Sequence, residues 1–240
     1  MPLGSRRRAA FALRRTAKGL AFGYRAARSH AIVDLAACPV LSPRIAGSLS
    51  RLKSALAPLL GGKREIRATV TETDAGLDVV VEGGRASPHL LSALAAEAQA
   101  IGAARLTMDG ETVALLAEPT LKLSGTRVGL PPGAFLQASR EAEASLAALV
   151  RDGTRGAKRI VDLFAGIGTF TFALAAGAVV DAYEQDEAAI EALGKAARAT
   201  PKLKPVRVFA RDLFRAPLGA RELARYDAVV LDPPRAGATP

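Results

Sequence analysis

Apolar and polar positions alternate in three short runs near the start of the chain, "AAFALRR", "LAFGYRAA" and "AIVDL". A period of two is that of strands with one buried face, and Lys18-Gly19 supplies a turn between the first two. The period then lengthens. In "SPRIAGSLSRLKSALAPLLGG" residues Ile45, Leu49, Leu52, Leu56 and Leu60 share one helical face, Ser42 stands as N-cap, Pro43 fits the first turn and Gly61-Gly62 stops the helix. "EIRATVTETDAGLDVVVEGG" reads as a hairpin turning at Asp74-Ala75-Gly76. "SPHLLSALAAEAQAIG" repeats the Ser-Pro helix start, and "ARLTMDGETVALLAEPTLKL" is a second hairpin with Asp109-Gly110 in its turn. This pattern predicts an α+β unit with antiparallel strands over residues 1–129.

The character changes at "GLPPGAFLQASREAEASLAALVRDG", where Pro131-Pro132-Gly133 precedes an alanine-rich helix. Strands and helices alternate from there: "KRIVDLFAG", "TFTFALAAG", "AVVDAYEQ", "DEAAIEALGKAARAT", "KPVRVFAR", "APLGARELARY" and "DAVVLDPP". Such alternation builds a parallel, doubly wound sheet, here over residues 130–240. The fold class expected is therefore α/β, a Rossmann-like half preceded by the α+β domain.

Composition narrows the class. Half of the 240 residues are hydrophobic but only 5% are aromatic, with no Trp, so the core must be built from Leu, Val and Ala. No apolar stretch approaches the roughly 20 residues of a membrane span, and the basic N-terminus lacks the apolar run of a signal peptide, which points to the cytoplasm. A single cysteine, Cys38, excludes internal disulfides and any all-cysteine metal or cluster site. Neither His30 nor His89 has metal-ligand spacing.

The net charge of +10 is unevenly spread. Arg6, Arg7, Arg8, Arg14, Arg15, Lys18, Arg25 and Arg28 give the first 30 residues +8 with no acid, while residues 31–129 balance and 130–240 carry +2. A patch of this kind suits a phosphate backbone of RNA or DNA; the alternative is an ordinary solvated basic face.

The candidate chemistry sits at the strand tips of the second half. In "IVDLFAGIGTFTFALA" a buried strand ends at Asp162, and Gly166 and Gly168 form a tight loop before a helix. A dinucleotide fingerprint would need a third glycine where Thr171 stands, so a pyrophosphate is a poor candidate. Glu184 ends the next strand, where an acid hydrogen-bonds ribose hydroxyls; Asp186 is the competing acceptor, its other role being a helix cap. Arg211-Asp212 ends the third strand, with Asp212 open to an adenine edge or to capping. Asp232, leading Asp232-Pro233-Pro234-Arg235, ends the fourth, and the two prolines carry the chain stiffly out of the sheet.

Glycine loop, acidic tip and Asp-Pro-Pro-Arg together resemble the class I S-adenosylmethionine methyltransferases. More narrowly, "GSRRRAAFAL", "GYRAARSHAIVDLAACPVLSP", "PPGAFLQAS", "DLFAGIGTFTFALA" and "DPPRAGA", in this order, resemble the RNA 5-methyluridine (uracil-C5) methyltransferases along essentially the whole chain. The resemblance implies S-adenosyl-L-methionine as cofactor, rRNA or tRNA as substrate with rRNA favoured, and rRNA processing as the setting. It implies cofactor contacts at Gln137, Phe164, Thr169, Glu184, Asp212 and Asp232, beside the loop glycines Gly166 and Gly168, while RNA contacts from Arg6, Arg7, Arg8, Arg14, Arg15, Arg25 and Arg28 are expected from the charge pattern. Ser139 stands where many members have Asn and receives no role.

In that family a cysteine thiolate adds to carbon 6 of uridine, the enolate takes the methyl, and a base removes the carbon 5 proton. The cysteine follows Asp-Pro-Pro-Arg by one strand, so no catalytic nucleophile is expected within these 240 residues. Cys38 matches a structural loop cysteine, and the family's iron–sulfur cysteines are not in this chain. Two other readings are a base-amine RNA methyltransferase, against which Arg235 stands in the place of a stacking aromatic, and a catalytically inactive fragment that binds RNA or cofactor.

Overall fold

The computed structural model describes residues 2–17, 19–29, 31–61, 65–84, 86–235 and 237. Lys18, His30 and Gly62, each of which the sequence pattern singles out, lie outside the described residues. The chain forms two compact units, one of residues 1–119 with 136–140, the other of residues 120–135 with 141–240.

The first unit is a seven-stranded sheet with two helices. Strands β1 (Arg8–Thr16), β2 (Gly19–Arg25), β3 (Ile32–Asp34), β4 (Glu65–Glu72), β5 (Leu77–Glu82), β6 (Ala103–Met108) and β7 (Glu111–Leu115) lie in the order β3-β2-β1-β4-β5-β6-β7. Every neighbour is antiparallel except β5 and β6, whose parallel pairing requires a crossover. Helix α2 (Pro88–Ile101) is that crossover. The alternation in β1 buries Ala9, Phe11 and Leu13 on one face, against Phe22 of β2, Ile66 and Val70 of β4, and Ile45, Leu49, Leu52 and Leu56 of helix α1 (Pro43–Leu56). Both helices begin as their Ser-Pro pairs predict: Ser42 accepts from the Ile45 amide and Ser87 from the Leu90 amide. A 3-10 turn, Ala57–Leu60, carries Leu60 into the same core.

The second unit opens with a hairpin that the sequence reading divides differently. Among the described residues, strands β8 (Thr120–Leu123) and β9 (Thr126–Gly129) pair only with each other, and they belong to this unit and not to the one before it. Ser124 and Gly125 both have positive φ, the demand of a two-residue hairpin turn. Helix α3 (Arg140–Gly153) follows. Then β10 (Arg159–Leu163), α4 (Thr169–Ala175), β11 (Val179–Glu184), α5 (Glu187–Arg198), β12 (Val206–Ala210), α6 (Ala220–Leu223) and β13 (Ala228–Leu231) alternate as expected. The four strands are parallel in the order β12-β11-β10-β13. Strand order reverses between β10 and β13, the switch point beyond whose carboxyl ends a ligand crevice opens in such sheets.

Candidate functional site

The loop after β10 is held by its own backbone. Phe164 adopts φ +62°, rare for an aromatic residue, and its ring packs against Phe214 with centroids 5.3 Å apart. The Ala165 amide donates to the Tyr183 carbonyl of β11 at 3.0 Å, and the Gly168 amide to the Ala165 carbonyl at 2.9 Å. The two glycines serve different ends. A Cβ on Gly168 would come within 2.5 Å of the Phe172 ring, so this position is glycine for packing at the start of α4. A Cβ on Gly166 would meet nothing within 4 Å; its demand is φ +55°, and the space beside it is open to a ligand. Thr169, half-buried, is the first residue of α4.

Thr171, standing where a dinucleotide loop would have glycine, is fully buried and donates its hydroxyl to Asp162 Oδ2 at 2.6 Å. Asp162 is itself buried at the tip of β10, and its Oδ1 has no hydrogen-bond partner among the described residues. Burial first, and then the Asp232 and Glu184 carboxylates, push its pKa up to about 7 against the pull of Thr171. The sequence reading counts Asp162 among the polar strand tips but gives it no ligand contact, because the sequence does not show what its two oxygens meet.

Glu184, at the tip of β11, is half-buried and accepts three amides: Gly166 on Oε2 at 2.9 Å, and Gln185 and Asp186 on Oε1 at 2.8 and 3.0 Å. Asp186 accepts from the Ala188 and Ala189 amides as the N-cap of α5. Asp212 accepts the Phe214 and Arg215 amides on Oδ1 at 2.9 and 3.2 Å, so it caps the turn after β12, with Oδ2 3.6 Å from Arg215. Its neighbour Arg211 is turned to the Glu222 carboxylate at 2.8 Å. Asp232 is exposed beyond β13, and Arg235 is exposed as well. The second unit thus brings Asp162, the glycine loop, Glu184, Asp212 and Asp232 to the carboxyl end of one sheet. Gln137 belongs to the first unit, where its carbonyl accepts from Arg7 Nε at 3.2 Å.

The basic N-terminal residues are not one uniform surface. Arg7 is 2% exposed and holds the Gln137 backbone, which corrects its expected place among phosphate contacts: a buried guanidinium cannot reach a polyanion outside the fold. Arg6 and Arg8 are half-buried, and desolvation, aided by Arg67, lowers the pKa of Arg8. Arg14 and Arg25 converge on Glu65, the former at 2.6 Å. Arg15, Arg25 and Arg28 are exposed. Among the described residues no group of His, Cys, Asp and Glu is placed to hold a metal ion, and no helix is long and apolar enough to cross a membrane.

No protein-family model matches the sequence. An uncharacterised RNA methyltransferase of Rhizobium meliloti is 48% identical over 236 residues, which cover 98% of this chain and 57% of that protein. The 23S rRNA (uracil(1939)-C(5))-methyltransferase of Chromohalobacter salexigens is 33% identical over 252 residues, covering 98% of this chain and 52% of that one. The chain therefore spans just over half the length of these curated relatives. Among solved structures, the tRNA (uracil-54, C5)-methyltransferase of Pyrococcus abyssi, in complex with S-adenosyl-L-homocysteine, shares the fold at a TM-score of 0.69 and 20% identity, over 99% of this chain and 62% of that one.

Proposed function

We infer that this chain, a member of the uracil-C5 RNA methyltransferase family, holds S-adenosylmethionine and RNA for methyl transfer to carbon 5 of a uridine. The observation that carries the reading is the set of carboxylates at neighbouring strand tips, Asp162 on β10, Glu184 on β11 and Asp232 after β13, with open space beside Gly166. A ligand with cationic and hydroxyl groups fits a rim of carboxylates, and a polyphosphate does not.

When bound, the cofactor supplies a methyl group on a sulfonium. The residues that hold it are assigned as follows. Phe164, Gly166, Gly168 and Thr169 shape the loop for the amino-acid part. Glu184 takes the ribose. A carboxylate offers about four acceptor directions and three are filled by amides, so Glu184 accepts one hydroxyl without giving up a backbone bond. Asp212, whose Oδ2 is 3.6 Å from the exposed Arg215, is assigned to the adenine amine, and Asp232 to the side of the methyl group and the target base. Gln137 is assigned to the cofactor by resemblance alone. Arg6, Arg8, Arg14, Arg15, Arg25 and Arg28 are assigned to RNA, with the exposed Arg15, Arg25 and Arg28 reaching phosphates first. The methyl-accepting RNA is rRNA in preference to tRNA; what supports this is the relative named for 23S rRNA, 33% identical over 98% of this chain.

Calorimetry of the chain with S-adenosylmethionine, filter binding of rRNA and tRNA, and nucleoside mass spectrometry of RNA incubated with methyl-labelled cofactor test this. Because no carbon 6 nucleophile is expected within these 240 residues, the expected outcome is binding of the cofactor, and of rRNA in preference to tRNA, without 5-methyluridine. A methylated exocyclic amine would overturn the reaction assigned, and tighter binding of tRNA than of rRNA would overturn the substrate.

A further inference from the structure

We propose that Asp162 couples cofactor binding to a proton: it carries one in the ligand-free site and releases it to solvent when a sulfonium binds at the strand tips. This rests on reading the β10–β13 crevice as a cofactor site.

Among the described residues the groups that act on Asp162 are Thr171, which favours the ionised form, and two carboxylates, which oppose it. Its side chain is 1% exposed. One oxygen is satisfied by the Thr171 hydroxyl from α4, and the other has no hydrogen-bond partner among the described residues. The charged groups that act on it are both carboxylates, Glu184 from β11 and Asp232 from the end of β13. A buried carboxyl group facing two like charges keeps its proton. A sulfonium reverses that balance. Its positive charge is fixed, so it offers no proton of its own. Bound at the strand tips, it would offset the repulsion between the buried Asp162 and the Asp232 and Glu184 carboxylates. The O–H bond of Asp162 then breaks, the electron pair stays on the carboxylate, and the proton passes to water.

The coupling discriminates between donor and product. Methyl transfer converts the sulfonium to a neutral thioether, so the reason for Asp162 to stay ionised disappears and it takes a proton back. The site thus favours the charged donor over the demethylated product more strongly as pH rises through the titration of Asp162.

Calorimetry tests this with S-adenosylmethionine and S-adenosylhomocysteine, each in two buffers of different ionisation heat, between pH 6 and 8. With the Asp162 midpoint at about 7, about half a proton should be released per S-adenosylmethionine bound at pH 7. Affinity for that ligand should rise up to about tenfold from pH 6 to pH 8. S-adenosylhomocysteine should release less and vary less. Asp162→Asn, which keeps an acceptor for Thr171, should abolish the difference between buffers. Carbon NMR of labelled Asp carboxyls should show one group titrating near neutrality in the ligand-free protein and missing from the variant. Release that is equal for the two ligands, or unchanged in Asp162→Asn, overturns the coupling while leaving the cofactor reading intact, as does a low titration midpoint. Absence of binding by either ligand overturns the cofactor reading and the coupling together.

Discussion

The amide of Gly166 donates to Glu184 Oε2 at 2.9 Å, and this bond ties the loop after β10 to the tip of β11. The same carboxylate gathers the Gln185 and Asp186 amides, so Glu184 organises the site as well as facing it. Replacing it acts on two quantities at once, and they can be measured apart.

Glu184→Ala should lower both stability and cofactor affinity. Hydrogen bonds to an ionised acceptor contribute about 1.5–3 kcal/mol each, and the three removed here are partly replaced by water, so stability should fall by about 1–3 kcal/mol. Glu184→Gln cannot accept equally on both sides and should show a smaller change of the same sign. Thermal unfolding and calorimetry with S-adenosylhomocysteine check this. Unchanged melting in Glu184→Ala would mean that the backbone bonds contribute nothing.

The two loop glycines should separate. Gly168→Ala drives a methyl into Phe172 at φ +98°, and should cost about 1–3 kcal/mol of stability. Gly166→Ala enters open space and bears only the left-handed backbone, about 1 kcal/mol. Its larger effect should be on ligand affinity. Denaturant unfolding and calorimetry on the pair would give the opposite ranking if Gly166 were there for packing.

Asp162 should make stability fall as pH rises. Its pKa is raised in the folded state, to about 7 from the ordinary 3.8, so the folded protein binds the proton more tightly than the unfolded chain. The stabilising proton is fully present below about pH 4, is progressively lost up to about pH 7, and the effect levels off above that. The shift sets an upper bound of about 4 kcal/mol. Asp162→Asn should therefore gain on the wild type from pH 4 to pH 7, and then run parallel to it. A constant difference between the two unfolding curves would exclude a raised Asp162.

The basic residues should sort by burial. Charge reversal at Arg15 and Arg28 should weaken RNA binding and make it less sensitive to salt. The logarithmic slope should fall by about 0.7–0.9 for each phosphate that the protein no longer neutralises. Arg7→Ala should instead destabilise the fold, because it removes the buried partner of the Gln137 carbonyl. Filter binding over a salt series, beside thermal unfolding, distinguishes these. A shallower salt slope in Arg7→Ala at unchanged stability would return Arg7 to the RNA surface.

Periodicity along the chain determined most of the fold. A run of two-residue alternation such as Ala9, Phe11 and Leu13 has one apolar face, and a helix such as Pro43–Leu56 has one apolar stripe; each can bury it in few ways. The glycine loop and the strand-tip positions of Glu184, Asp212 and Asp232 were legible too, because they follow from where strands end. The pairing of β8 with β9 was missed although Ser124-Gly125 is a turn signal, since four-residue strands carry little period. What each polar side chain does was decided by tertiary structure alone. Arg7 looks like any other arginine of the basic run until the chain returns 130 residues later with the Gln137 carbonyl. Arg14 meets Glu65 51 residues on. The proton on Asp162 depends on burial and on two carboxylates from other strands. Local sequence decides which face a side chain takes, but charge and solvation are set by neighbours that only the folded chain brings within reach.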